Sequence, residues 1–252
     1  MKLSTASNNK IGRKFFVLFL WLMVWQLVYM IVGKDILVPS PFKTMIGLIE
    51  LLRQPNFYSD VGVTFYRVFM GIFLSFGLGL LTAVAAYFME WIREILEPLI
   101  RVLTSTPVMA IIILALLWFT KNNVPIFVCF LMCYPVAYTN ILKGLQEVDK
   151  GLLEMSLVFK VKRSYILKDL YLPQTRPYIE AALGMIIGLS WKAVIAAEVL
   201  AVPMYSMGYN LMSAKSYLET DILFAWVIII VVLSSLCERA AKSFMKREGT
   251  SK

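Results

Sequence analysis

The chain has 252 residues, of which 60% are hydrophobic and only 16% charged, and its net charge is +9. A soluble domain of this size carries about 25% charged residues, so the surplus of apolar side chains calls for a lipid solvent and excludes an ordinary soluble fold. The positive charge sits in short blocks between apolar runs, a pattern of membrane orientation rather than of a nucleic-acid surface, and the absence of histidine removes the commonest general base and metal ligand.

Lys2, Lys10, Arg13 and Lys14 mark a basic segment, 1–14, expected in the cytoplasm. The apolar run 15–33 is longer than a signal-peptide core and has no small-x-small cleavage pattern, so it reads as a retained first crossing. Val38-Pro39-Ser40-Pro41 is an extended or turning segment. After it, Met45, Ile46, Leu48, Ile49 and Leu52 outline a short amphipathic helix in the interface. The second crossing spans about 61–89, with Arg67 near its start, where a long side chain can snorkel outward. Gly71, Ser75 and Gly79 recur every four residues and place small side chains on one packing face.

A charged amphipathic link, 90–101, leads to a third crossing at about 102–120, with Pro107 in its first turns. Lys121-Asn122-Asn123 turns the chain into a fourth, about 124–142, which has Pro125 at its start and Pro135 inside. In it, Cys129 and Cys133 share a helical face and read as small packing residues, not a metal or disulfide site. Residues 143–176 form the longest polar stretch, with seven basic and four acidic residues. The fifth crossing, about 177–201, holds Gly184 and Gly188 as a second packing pair, together with Lys192 and Glu198. A loop, 202–221, precedes the sixth crossing, about 222–237, and 242–252 is a cytoplasmic tail. Residues 15–241 thus read as one transmembrane domain, an all-α integral membrane fold of about six helices. With the amino terminus inside, inner segments carry 18 Lys/Arg and outer ones 5, so both termini are expected in the cytoplasm.

Chemistry is sparse. No G-x-x-x-x-G-K-[ST] phosphate loop occurs, no G-x-G-x-x-G follows a strand, and no nucleophile has a histidine to activate it. An enzyme is not expected; a transporter or channel component is. Charges inside a crossing are costly and mark function. Lys192 and Glu198 are six residues apart, about 9 Å in rise and roughly 120° in angle, so they do not face each other. Lys192 either attracts an anion or pairs with an acid on another helix. Glu198 lies near the outer end, as a gate residue, at a contact with an external partner protein, or as an interfacial residue bonded to a neighbouring helix. Trp191 shares its face and is a packing or pathway residue.

Between Leu152 and Leu170 the polar stretch has helix-forming spacing, closed by Leu172-Pro173. Such a segment either lies on the lipid surface, aided by Lys160, Lys162, Arg163 and Lys168, or docks into a partner protein. Glu154-Met155-Ser156, with Lys160 four residues beyond Ser156, then Leu170 and Leu172-Pro173, resembles the cytoplasmic loop of binding-protein-dependent ABC transporter permeases. That loop reads E-A-A, three residues, G, nine residues and I-x-L-P. The glutamate, the spacing and Leu-Pro agree; Met155, Ser156 and Lys160 replace two alanines and the glycine. Val38-Pro39-Ser40-Pro41, Phe65-Tyr66-Arg67-Val68 with Gly71, Gly188-Leu189-Ser190-Trp191 with Ala197-Glu198, and Gly208-Tyr209 through Leu218-Glu219-Thr220-Asp221 resemble the nitrate/sulfonate/taurine branch.

The resemblance implies a type I importer permease fold and a pathway built from two permease copies. It also implies two ATPase subunits beneath them, a binding protein delivering solute from outside, and ATP with magnesium bound on the ATPases rather than on this chain. Residues 150–166 would transmit motion to the ATPase, with Glu154, Met155, Ser156, Phe159, Lys160, Leu172 and Pro173 at the coupling contact. Because lysine takes positive φ less cheaply than glycine, the turn at Lys160 is expected to be helical or shifted by a residue. The cargo implied is a small anion such as a sulfonate, taurine or nitrate, or a vitamin precursor. An ion-gradient-driven transporter, active alone in liposomes, and a membrane scaffold remain alternatives.

Overall fold

A computed structural model describes residues 5–249; the ends of the basic segment and of the tail, 1–4 and 250–252, lie outside the described residues. Every regular element among the described residues is helical, and the chain divides into two compact units. The first comprises the residues up to Tyr58 together with Asn210–Ile230; the second comprises Ser59–Tyr209 and the residues from Val231 onward.

In the first unit, α1 (Thr5–Val32) carries the apolar stretch Phe15–Val32, interrupted only by Gln26, and Phe15, Trp21 and Ile31 among its side chains stand exposed. Such a surface is solvated by acyl chains. The Pro-Ser-Pro segment is the start signal of α2 (Pro41–Arg53). The Ser40 hydroxyl accepts from the Lys43 amide at 3.2 Å, and Pro41 occupies the first turn, where its missing N–H costs nothing. Thr44, Gly47 and Leu51 form the buried face of α2, while Met45, Ile46, Ile49 and Leu52 are exposed. The Trp25 indole donates to Pro39 O at 3.1 Å and stacks on Phe224, and Phe57 stacks on Trp226. In the first turn of α2, Lys43 reaches back to Asp35 at 2.5 Å, and that hydrogen bond holds the Asp35 carboxyl below the usual range.

In the second unit, α3 (Phe57–Phe88), α6 (Val124–Gln146) and α9 (Leu172–Ala201) build the core. The most extensive packing is between α6 and α9, and Cys129, Cys133, Ala137, Ile186, Val194 and Ala197 are buried there. Gly71, Ser75 and Gly79 turn toward α6: a Cβ on Gly71 would come 2.6 Å from Cys129 Cβ, and one on Gly79 would come 2.5 Å from Ala137 Cβ. Buried Ser75 hydrogen-bonds back to Gly71 O. The other expected packing pair divides. Gly188 abuts the Glu238 side chain, whereas Gly184 meets nothing within 4 Å.

Three expectations about element boundaries are corrected. The stretch 102–120 is not one helix. α4 (Glu90–Ser105) and α5 (Val108–Trp118) meet at a 107° bend across Thr106-Pro107. Pro107 drives Thr106 into an extended conformation, ψ 128, as its ring demands of the preceding residue. The 11 residues of α5 reach about 17 Å, well short of a ~30 Å hydrocarbon core.

Leu172-Pro173 does not close the polar stretch either. A continuous helical rod runs from α8 (Arg163–Tyr165) through a π-helical turn, Ile166–Tyr171, into α9. The wider π turn makes room for Pro173, whose ring would clash with the carbonyl four residues back in a regular α-helix.

Finally, the loop 202–221 contains α10 (Met207–Ser216), and α11 (Thr220–Gly249) extends beyond residue 237. Five helices among the described residues are long and apolar enough to cross a membrane, and the bent pair α4/α5 makes a sixth if counted as one.

Candidate functional site

Two features of the second unit stand out: a buried charged cluster at the carboxyl end of α9, and an exposed short helix in the polar stretch after α6.

Glu198 is fully buried and Arg67 is 3% exposed. Arg67 does not snorkel. Its Nη1 donates to Glu198 Oε1 at 2.7 Å and to Tyr205 O at 3.4 Å, and its Nη2 to Asn122 Oδ1 at 3.5 Å. The Thr64 hydroxyl donates to the same carboxylate at 3.0 Å and accepts from Met207 N at 3.1 Å. Gly208 N donates to Glu198 Oε2 at 3.1 Å. The carboxylate thus sits at the amino end of α10, where unpaired amides favour negative charge. Gly208 is needed for this approach: a Cβ there would lie 2.8 Å from Val199 N.

The cluster joins α3, α9 and α10 around a tight turn in which Val202 has φ 49 and Tyr205 φ 52. A β-branched residue in the left-handed region is strained by about 1–2 kcal/mol, so the surrounding bonds must hold the turn in place. Trp191, 2% exposed, packs edge-on against Phe65 at 5.4 Å. Lys192, on the same helix, is exposed and has no hydrogen bond or ion pair among the described residues. The structure therefore groups Glu198 with Arg67 and leaves Lys192 apart. Sequence reasoning missed that pairing, along with Thr64 and Gly208.

In the polar stretch, α7 (Lys150–Val158) starts at Asp149, whose side chain accepts from Leu152 N at 3.1 Å. Its last residue is Val158, and Lys160, two residues on, adopts φ 54. Lys160 N bonds to Leu157 O at 3.0 Å and Val161 N to Ser156 O at 2.9 Å, the paired bonds of a Schellman stop. The expectation of a helical or displaced turn is thereby corrected: lysine occupies the left-handed position itself, and the two bonds offset its strain of about 1–2 kcal/mol. Lys160→Gly should relieve this strain and stabilise the turn by ~0.5–1 kcal/mol after glycine's own entropic cost. Amide exchange at Val161 should then slow by about two- to fivefold; faster exchange would contradict the account.

No residue of α7 is buried. Val158 is 77% and Phe159 73% exposed, and Met155 is exposed on the same side. Glu154 is exposed and makes no bond among the described residues. The Ser156 hydroxyl returns to Leu153 O at 2.7 Å. Leu172 and Pro173 are exposed on the rod, apart from α7 in the chain. Among the described residues no group of His, Cys, Asp or Glu could hold a metal ion.

Comparison with known proteins places the chain among transport permeases. Over 218 residues, 85% of this chain and 78% of the relative, it is 27% identical to a Bacillus subtilis protein named as an aliphatic sulfonates transport permease. It is 22% identical over 251 residues to the taurine transport system permease protein of Escherichia coli, covering 97% of this chain and 90% of that one. The nitrate import permease protein of Synechococcus elongatus is 28% identical over 193 residues, 72% of this chain and 68% of the relative. Among solved structures, a bacterial ABC transporter involved in import of the acidic polysaccharide alginate shares the fold, with a TM-score of 0.67 at 14% identity over 98% of this chain and 99% of that one. An amino acid ABC transporter reaches 0.60 at 18% identity over 76% and 92%. The family described as binding-protein-dependent transport system inner membrane component matches residues 75–248, and the chain belongs to it, as a helical membrane component of a transport system and not an enzyme.

Proposed function

We propose that this chain is the permease subunit of an ATP-driven importer, working as a pair of copies in the cell's inner membrane with both termini in the cytoplasm. Two ATPase subunits supply the energy with ATP and magnesium, and an extracytoplasmic binding protein delivers the solute. One observation carries the reading: α7 displays Met155, Val158 and Phe159 with nothing packed on them. It lies on a loop whose basic residues favour the cytoplasmic side. A short helix with an unpartnered apolar face fits a groove on a partner protein. In the test, a cysteine replacing Ser156 should crosslink to the co-expressed ATPase, and the ATPase should co-purify with the permease. Absence of both would end the proposal.

The cargo we propose is a small anion of the sulfonate, taurine or nitrate kind. The named relatives support it, and so does Lys192. Lys192 sits nine residues before the end of α9, about 14 Å from that end and near mid-membrane depth. An unpaired ammonium facing acyl chains costs about 3 kcal/mol, so its exposed face suits a water-filled pathway. Lys192→Met should lower uptake of taurine, methanesulfonate or nitrate about tenfold at subsaturating concentration, equivalent to ~1.4 kcal/mol. Wild-type uptake of all three would remove Lys192 from the pathway.

A further inference from the structure

A second polar site lies in the second unit, apart from the Glu198 cluster and next to the start of α7. A cavity of ≈ 280 Å³ opens between α4 and α6, lined by Arg93, Glu97, Arg101, Tyr138, Lys143 and Gln146 among others. Glu97 takes Arg101 at 2.6 Å, but Arg93 and Lys143 have no ion pair among the described residues. Tyr138 is 3% exposed, and its buried hydroxyl has no hydrogen-bond partner. A buried hydroxyl left unpaired is unfavourable and needs explanation. Here it belongs to a side chain lining a cavity where three cations outnumber one carboxylate, a lining that suits an acceptor with negative charge.

The setting narrows the source. Trp91, Ile95, Leu99 and Val102 are all exposed and recur at spacings of four, four and three along α4. They form an apolar stripe on the side opposite Ile100, which is buried. A helix with such a stripe and a charged opposite face lies at the boundary between acyl chains and headgroups, with tryptophan at the interface. Its charged face is then level with lipid phosphates. A neighbouring cavity, ≈ 550 Å³, is lined by Arg93 as well, together with Lys150, at the start of α7, and Glu90. We infer that the groove between α4 and α6 holds the headgroup phosphate of an anionic membrane lipid, with Arg93 and Lys143 as its cations and the Tyr138 hydroxyl as a donor.

The test uses the full-length protein purified in a neutral detergent, with binding read by native mass spectrometry and by the thermal melt. Phosphatidylglycerol should bind about tenfold or more tightly than phosphatidylcholine, since each basic side chain near a lipid phosphate contributes about fivefold. It should raise the melting temperature; inorganic phosphate at millimolar concentration should not. Arg93→Gln with Lys143→Gln should abolish the preference, and Tyr138→Phe should weaken phosphatidylglycerol binding about fivefold. Equal binding of the two lipids to the wild-type protein overturns the inference even if the double variant fails to fold. An equal stabilisation by inorganic phosphate overturns the lipid as its source. A double variant that keeps its lipid preference but loses its ATPase would make the groove a protein contact and overturn it too.

Discussion

Glu198→Ala should destabilise the protein by about 3–5 kcal/mol, the cost of leaving a buried charge without its counter-ion. Arg67 is 3% exposed, and its closest contact is Glu198 Oε1 at 2.7 Å. Its contacts to Tyr205 O and Asn122, at 3.4 and 3.5 Å, are too long to replace it. The same change would strip Thr64 and Gly208 N of their acceptor and release the turn in which Val202 is held at φ 49. Arg67→Ala should cost a similar amount for the mirrored reason. Replacing both, Arg67→Met with Glu198→Leu, should cost far less than the sum of the single changes, because no unpaired charge then remains. The thermal melt of the detergent-solubilised full chain, with its abundance in membranes, reads the three variants. A single variant as stable as the wild type, or a double variant whose loss equals the sum, would show that the two residues are not coupled.

That pair also shows how far the sequence could be read. Arg67 near the start of one crossing and Glu198 near the end of another running the opposite way are opposite charges at one membrane depth. This signal was present, but snorkelling offered Arg67 an equally cheap solution. Distance along the chain, 131 residues, hid the contact. The membrane class, the small face at Gly71, Ser75 and Gly79, and the short helix before Lys160 were legible because period and composition determine them locally. The break at Thr106-Pro107 was misread as a first-turn proline, since Pro is compatible with a helix start and the run that follows it, 108–119, is apolar throughout. The rod through Leu172-Pro173 was misread for the converse reason. Proline signals an end, and nothing in the residue pattern announces a π turn that absorbs it. Lys160 is a third case: residue type argued against positive φ, while the Schellman bonds around it outweighed that preference. Tyr138 gave no signal at all, since an aromatic residue on an apolar helix reads as core until its hydroxyl is seen to lack a partner.

If α7 is the handle for an ATPase, Phe159→Ala should abolish most of the coupling while leaving the permease itself intact. Phe159 caps α7 at the point where the chain turns, and 73% of its surface is free, so its removal opens no cavity and should change the melting temperature little. In a docked complex the same ring would be an aromatic anchor entering a pocket. Anchors of this kind contribute about 2–4 kcal/mol, equivalent to roughly 30- to 1,000-fold in affinity. Pull-down of the ATPase and solute-stimulated ATP hydrolysis should therefore fall together. Val158→Asp should be harsher, because it places a charge that must be desolvated in the centre of the face. Lys160→Gly should retain ATPase binding, because it keeps the apolar face and the left-handed turn that presents it. If Phe159→Ala retained full coupling, docking would rest elsewhere on the loop. If instead the variant lost its fold, the ring would be serving the permease's own packing, contrary to its exposure.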